Sequence, residues 1–378
     1  MRMKKLLIIA AAALLAAACA KTYEVKETTP PAIGFGTWTE TLTKATNHDP
    51  TSASFGANDN FSVYGHKTLS SGSSVVFNGT TVSFDGTDWT YSPKRFWDNS
   101  ATQYVFYAVS PAGLVNTATQ SSNAFTGALS GTATFDGNTD VLVAAEKTVT
   151  TYTSAVDLEF HHIASLLDLK VRKTNDLELA SENTDNYIKV EITSISLSQI
   201  DATGTFTIND YTGGVPGVSS GDIWATDGTA AKATYTNANG FAPVTTLPDD
   251  IPAVSETSSS DLISKLVVMP QTFRTAFASA ATEGNTDQTV TIGYNIKVCE
   301  SGTLTTTAYT ASFDLKEFDD TGATSGYDTN TEANYIASWQ PNKHYIYLIT
   351  IGANAITFTA SIQAWDTTTI NGYHYLVN

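Results

Sequence analysis

The chain has 378 residues and carries 37 acidic against 20 basic side chains, a formal net charge of −17 at pH 7. A surface of that sign repels phosphate backbones, which argues against nucleic acid as a partner. Only two cysteines are present, Cys19 and Cys299, so we do not expect disulfides to hold the fold together.

The first residues have the layout of a bacterial lipoprotein signal peptide. Basic residues at positions 2, 4 and 5 precede an apolar run over residues 6–18 that is too short to span a bilayer. The run ends in small residues before Cys19, so we expect residues 1–18 to be removed and Cys19 to be lipidated. The alternative is an ordinary signal peptide with an incidental cysteine. Residues 19–31 would form a tether between the lipid and the body.

The rest of the chain has the pattern of an all-β protein with little helix. Apolar and polar residues alternate over 290–298 and again over 356–364, which is typical of half-buried strands. Residues 104–109 are apolar on both faces, which predicts a central strand. The pairs Asn78-Gly79 and Asp85-Gly86 predict tight hairpin turns. Residues 161–167 are the best candidate for a short helix.

Together these elements predict antiparallel β-sandwiches arranged as two tandem domains. The strand pattern lapses in a Thr/Ser-rich stretch near residues 149–157 and then restarts. We place the domain boundary there, with an N-terminal β-sandwich over residues 32–155 and a C-terminal β-sandwich over residues 156–378. No repeat of fixed period is visible, which argues against a solenoid or a propeller.

No set of acid, base and nucleophile can be proposed, so we expect neither an enzyme nor a cofactor. Ser219 lies in a GVSSG string that imitates a nucleophile elbow, but glycines and a proline precede it and no helical pattern follows. The neighbours His161 and His162 would point to opposite faces of a strand and chelate a metal poorly. Residues 136–140 imitate a calcium loop without its later glycine and acidic ligand. We therefore predict no dedicated metal site.

An ordered series of segments resembles the fimbrillin family, the subunits of type V pili. The segments that carry the resemblance are, in chain order, LLAAAC, AIGFGTW, FSVYGH, WTYSPKRFW followed by YVFYAVSP, LEFHHIASLLDLKV, LVVMPQTF and SWQPNKHYIYLITIGANAITFTASIQAW. The resemblance implies two transthyretin-like sandwiches, export to the outer membrane as a lipidated precursor, and display in a fimbria at the cell surface. It also implies that a trypsin-like protease removes the first segment, and that a strand from another fimbrillin subunit, identical or different, fills the vacated groove.

On this sequence, the removable strand would be residues 32–43, with Ile33 and Phe35 as the displaced apolar side chains. The cut would fall between Lys44 and Ala45. The family usually has an arginine at this place, whereas here Lys44 stands there and could also be an ordinary solvated loop residue.

The donor strand would be the C-terminal tail, residues 366–378, in which Tyr373, Tyr375 and Val377 share one face. The alternative is that the tail completes its own sheet. A chain that is not cut at Lys44 would be an anchor, a tip adhesin that binds a host glycan or protein, or a surface lipoprotein that does not polymerise.

Overall fold

A computed structural model shows an almost entirely β protein. It describes residues 30–37, 59–118, 129–152, 155–158, 160–208, 223–226, 232–236, 247–254, 259–273, 288–315, 336 and 338–364. The strands are β1 (Phe35–Thr37), β2 (Asn60–Leu69), β3 (Gly72–Phe84), β4 (Trp89–Thr90), β5 (Gln103–Ser110), β6 (Val115–Ala118), β7 (Leu129–Thr134), β8 (Leu142–Val149), β9 (Val156–Leu158), β10 (Phe160–His162), β11 (Ser165–Lys173), β12 (Tyr187–Ile200), β13 (Thr203–Ile208), β14 (Trp224–Thr226), β15 (Ala233–Thr236), β16 (Ser260–Val268), β17 (Thr289–Glu300), β18 (Thr303–Asp314), β19 (Lys343–Ile351) and β20 (Ile356–Ala364). A 3-10 turn covers Asn175–Leu177.

The prediction of an all-β fold built from antiparallel sheets is confirmed. In the part of the chain that the structure describes, no helix is long and apolar enough to cross a bilayer.

The central sheet has six strands in the order β10-β8-β5-β2-β3-β4. Its middle strand β5 is buried on both faces, as its sequence predicted. Tyr104 and Phe106 pack into one core, and Val105 and Tyr107 pack into another.

The two cores on either side of the central sheet are covered by different elements. The short parallel pair β1-β9 closes the first core, which also contains Phe61, Phe77 and Trp97. The sheet β14-β13-β7-β6 covers the second core with Phe206 and Trp224. Because alternate residues of one strand point to opposite faces, β5 contributes to both cores.

A third core lies between two four-stranded sheets, β16-β11-β19-β20 and β15-β12-β17-β18. The alternating segment at 290–298 falls in β17, where Val290 and Ile292 are fully buried. In the facing sheet, β11 and β19 pair in parallel although about half of the chain separates them in sequence. The core therefore depends on contacts between distant segments of the chain.

Two local predictions are wrong. Residues 161–167 form no helix, because residues 160–162 pair with β8 and residues 165–173 pair with β16 and β19. These long-range ladders override the weak local preference. Asn78-Gly79 is not a hairpin turn but a bulge within β3: Val63 pairs with Thr80 and Tyr64 pairs with Asn78, so Gly79 is skipped. Its φ of +73° suits glycine in either setting.

The Asp85-Gly86 turn is confirmed. Phe84 pairs with Trp89 across it, and the Asp85 carboxylate accepts hydrogen bonds from the backbone N–H groups of Thr87 and Asp88, each at 2.8 Å. Gly86 supplies the positive φ of +100°. The loop has four residues, so it is longer than the two-residue turn that Asp-Gly most often makes.

The predicted domain boundary lies where several strands change partners. β9 pairs with β1 and β10 pairs with β8, so both strands join sheets formed by earlier residues. β13 pairs with β7 in the same way. The division at residue 155 stays a prediction, and strands on its C-terminal side extend the sheets on its N-terminal side.

Candidate functional site: the seat of the first strand

Residues 31–37 lie in a slot between two backbone segments. On one side, the Ile33 N–H donates to the Arg95 carbonyl at 2.8 Å and the Trp97 N–H donates to the Pro31 carbonyl at 3.2 Å. On the other side, the Val156 N–H donates to the Gly34 carbonyl at 2.9 Å, and β1 continues in parallel along β9. We call this slot the β1 seat, formed by residues 95–97 and β9. The first strand is held through its backbone from both sides.

The side chains of the first strand close one of the cores. Ile33 is 1% exposed and Phe35 is 6% exposed. The Phe35 ring contacts four others with centroid distances of 5.4 to 6.0 Å, all in edge-to-face arrangements: Phe61, Phe77, Tyr91 and Phe106. Burial of a side chain of this size contributes about 1.5–3 kcal/mol, and a well-placed aromatic pair adds about 0.5–1.5 kcal/mol. Phe35 is thus the main apolar anchor of the segment.

The glycines that alternate with these side chains let β1 lie close to β9. A Cβ atom at Gly36 would come within 2.7 Å of the Asp157 carboxylate, whereas one at Gly34 would meet Ala155 at an ordinary 3.6 Å. The sequence Ile-Gly-Phe-Gly therefore gives the strand one packed apolar face and one face without side chains.

The hydroxyl group of Tyr91 forms hydrogen bonds with the backbone of the first strand and of its neighbouring segment. The hydroxyl donates to the Ile33 carbonyl at 2.6 Å and accepts from the Arg95 N–H at 3.2 Å, so it links both sides of the slot. Burial raises the pKa of Tyr91 above its ordinary value of 10.0. The hydroxyl stays protonated at neutral pH and can donate this hydrogen bond. Lys94 adds a cation above the ring, 4.7 Å from its centroid.

The predicted site residues fall into two groups. Ile33 and Phe35 are together in the β1 seat, with buried side chains as a removable strand requires. Cys19, Lys44, Ala45, Tyr373, Tyr375 and Val377 lie outside the described residues. The structure therefore shows where Ile33 and Phe35 lie, and the displacement of their strand, the lipid site, the cut and the donor stay predictions.

The residues that form the seat were not identified as such from the sequence. Tyr91 and residues 95–97 belong to the WTYSPKRFW segment, whose density of aromatic residues was the available signal. The pairing of β1 with β9 joins residues about 120 positions apart, and no local pattern reports a parallel pair of that separation.

The residues weighed as metal ligands have structural roles. His162 is buried in β10 with its Nδ1 atom 2.7 Å from Asp140 Oδ2. The Asp136 carboxylate accepts hydrogen bonds from the backbone of Asn138 and Thr139 and so stabilises its own turn. Within the described ranges, no group of three His, Cys, Asp or Glu residues is placed to hold a metal ion. Ser219 lies outside the described residues.

Comparisons with known proteins give one family match and one shared fold. A family model described as fimbrillin-like matches residues 43–365, while no curated protein matches the sequence. A fimbrial protein from Bacteroides vulgatus ATCC 8482 is 15% identical, with a TM-score of 0.54 over 88% of this chain and 99% of that chain. A candidate cell adhesion protein from Bacteroides uniformis ATCC 8492 is 14% identical, with a TM-score of 0.45 over 90% and 100% of the two chains. The first of these two structures shows a shared fold.

Proposed function

The chain belongs to the fimbrillin-like family, and from this premise we propose that it is a structural subunit of a cell-surface fimbria of the type V class. Family membership makes it a fimbrial or adhesion protein of the cell surface, with a structural rather than an enzymatic role. Other fimbrial subunits are its expected partners, in a homopolymer or a heteropolymer. The proposal concerns how those subunits join.

We propose assembly by strand exchange at the β1 seat. The supporting observation is that residues 31–37 form a short segment, buried through Ile33 and Phe35 and hydrogen bonded on both sides. Loss of the segment would expose the aromatic lining of the slot and leave the N–H groups of Trp97 and Val156 without the carbonyls of Pro31 and Gly34. An extended strand from another subunit repairs both defects by β-augmentation. Replacement of the two apolar side chains alone contributes about 3–6 kcal/mol.

The proposed route begins with export of a lipoprotein precursor. Removal of residues 1–18 and lipidation of Cys19 would hold the precursor at the outer membrane, because a multiply acylated terminus binds a bilayer far more firmly than one chain. A protease cut between Lys44 and Ala45 would then separate residues 19–44, which include the removable strand 32–43, from the rest of the chain. The tail of the next subunit would enter the slot with Tyr373, Tyr375 and Val377 on its inner face. The lipidated start and the position of Lys44 after β1 support this order.

Trypsin treatment of the purified full-length chain tests the proposal. We expect a cut after Lys44 and ladders that resist SDS until the sample is boiled. Lys44→Ala should abolish both the cut and the ladders, and a chain that ends at residue 365 should be cut but stay monomeric. A wild-type chain that is cut after Lys44 and remains monomeric would contradict assembly through this seat.

A second candidate function rests on the residue at the cleavage position. Lys44 replaces the arginine that the resemblance predicts, so an arginine-restricted protease would leave the chain intact. The protein would then be an anchor, a surface lipoprotein that does not polymerise, or a tip adhesin for a host glycan or protein. Lys44→Arg is the discriminating variant: it should polymerise with an arginine-specific protease while the wild type does not. Glycan and host-protein arrays test the adhesin role, which requires a reproducible ligand.

A further inference from the structure

The strand β18 has a long edge that, over residues 303–313, contains no charge, no proline and no bulge against pairing. It pairs with β17 from Thr303 to Asp314 without a register shift and lies at the end of the sheet order β15-β12-β17-β18. Among the described residues, no strand pairs with its other side. The stretch from Thr303 to Thr310 is exposed throughout, including Leu304 at 51% and Tyr309 at 44%.

One hydrogen bond shows which backbone N–H and C=O groups of β18 point away from β17. The Leu315 N–H donates to the Gln288 carbonyl at 2.9 Å, so these two residues form a hydrogen-bonded pair. Bonded and non-bonded pairs alternate along an antiparallel ladder. The odd-numbered residues of β18 therefore bond to β17, and the even-numbered residues direct their N–H and C=O groups outward. Within residues 303–313 the outward set is Leu304, Thr306, Ala308, Thr310 and Ser312, and Asp314 follows at the end of the strand.

The composition of this edge contrasts with that of another edge of the same molecule. Residues 303–313 contain no charged residue and no proline. The edge strand β16 of the facing sheet carries Asp261 and Lys265, and its pairing with β11 has register shifts. Charges and bulges are common means by which proteins block pairing between edges. Strand β16 has both, whereas β18 has no bulge and carries its one charge, Asp314, at its C-terminal end.

We propose that the free edge of β18 is a contact between two copies of this chain, which pair antiparallel about a two-fold axis at Ala308. In this register Leu304 faces Ser312 and Thr306 faces Thr310, so every outward residue meets an outward partner. Tyr309, which is stacked on Tyr294 at 5.3 Å, faces Thr307 of the second copy. The contact is isologous and closes as a dimer.

A basic partner would be bound through acidic side chains, which residues 303–313 lack, so the occupant that we propose is a second copy. The chain carries a net charge of −17, so two copies repel each other over most orientations. The uncharged stretch of eleven residues allows their backbones to meet without placing like charges opposite each other, which would destabilise a cross-strand pair. The contact lies on a different sheet from the β1 seat, so it is independent of strand exchange.

The test uses the uncut full-length chain in detergent, so that strand exchange does not contribute. Sedimentation equilibrium up to about 1 mM chain detects an association with millimolar Kd, and we expect a monomer–dimer equilibrium. Ala308→Lys and Ala308→Glu each place two like charges opposite each other at the axis and should each weaken the dimer at least tenfold. An equimolar mixture of the two variants should restore a dimer, which misfolded chains cannot do. Thr81→Lys, an exposed strand position in another sheet, is the charge-matched control and should dimerise like the wild type.

Three outcomes would overturn the proposal. They are a wild-type chain that is monomeric at every concentration, a dimer that both Ala308 variants retain, and a mixture of the variants that stays monomeric. Growth beyond the dimer would overturn it as well. Strand β20 is also uncharged along its length, and pairing of β18 with β20 of another copy would propagate into an open chain instead of closing.

Discussion

Replacement of Phe35 by alanine should release the first strand from its seat. The side chain is 6% exposed and packs edge-to-face against four aromatic rings. Truncation of a buried phenylalanine to alanine costs about 3–5 kcal/mol, because the transfer free energy is lost and a cavity remains. Because β1 lies at one end of its core, we expect most of the lost stabilisation to appear as a lower free energy for opening the β1 segment.

Hydrogen exchange of the Val156 amide measures that opening locally. Its N–H donates to the Gly34 carbonyl, so it exchanges when the first strand leaves. A loss of about 3–5 kcal/mol, at 1.4 kcal/mol per factor of ten, predicts exchange faster by about 10²- to 4 × 10³-fold. Phe96→Ala is the matched control, because Phe96 lies on the flanking segment with its side chain 51% exposed. We expect the control to change stability by less than about 1 kcal/mol. Unchanged Val156 protection in Phe35→Ala, or equal effects of the two variants, would refute the view that Phe35 anchors the strand.

Three further substitutions test other contacts. Gly131→Ala should destabilise the chain by about 1–3 kcal/mol in urea unfolding, since its Cβ would overlap the backbone carbonyl oxygen of Leu114 and lie 2.6 Å from the buried Phe206 ring. Tyr91→Phe should cost about 1–3 kcal/mol in the same assay, because the buried Ile33 carbonyl loses its hydroxyl donor. Burial raises the pKa of Asp168, but hydrogen bonds and the nearby His344, 3.0 Å away, hold it below 3.8. The stabilising effect of the Asp168 carboxylate is therefore present above pH 3.8 and is lost as the pH falls further. Asp168→Asn should lower the free energy of unfolding at pH 7 and make it less dependent on pH below 3.8.

Each of these three substitutions has a control elsewhere in the chain. Gly34→Ala introduces only an ordinary contact at 3.6 Å, and Tyr309→Phe alters an exposed hydroxyl. Asp261→Asn removes an ion pair whose carboxylate side chain is 48% exposed, which contributes little to stability. Effects in the controls as large as those in the test variants would contradict the roles given to Gly131, Tyr91 and Asp168.

Local sequence patterns were sufficient to predict strands in which apolar residues alternate with polar ones or occupy both faces. The alternation in β17 and the doubly apolar run of β5 read correctly, because side-chain direction in a strand follows from position alone. Asn78-Gly79 was misread because the same positive φ serves a tight turn and a bulge, and pairing with β2 decides between them. Residues 161–167 were misread because partners far away in sequence convert them into strands.

The seat of the first strand was predictable only in part. The alternation of Ile33 and Phe35 with glycines marked a strand with one apolar face. Nothing local indicated that its neighbours would be residues 95–97 and β9, or that Tyr91 would bond to it. These contacts arise from the packing of three separate segments, so their identification required the structure.

The N-terminal residue of SDS-resistant polymer recovered from intact cells tests strand exchange most directly. If the first strand is removed before subunits join, the polymer begins at Ala45 and the unassembled precursor begins at Cys19. Polymer whose subunits still begin at Cys19 would show that the first strand stays in its seat, and the account of assembly would be wrong.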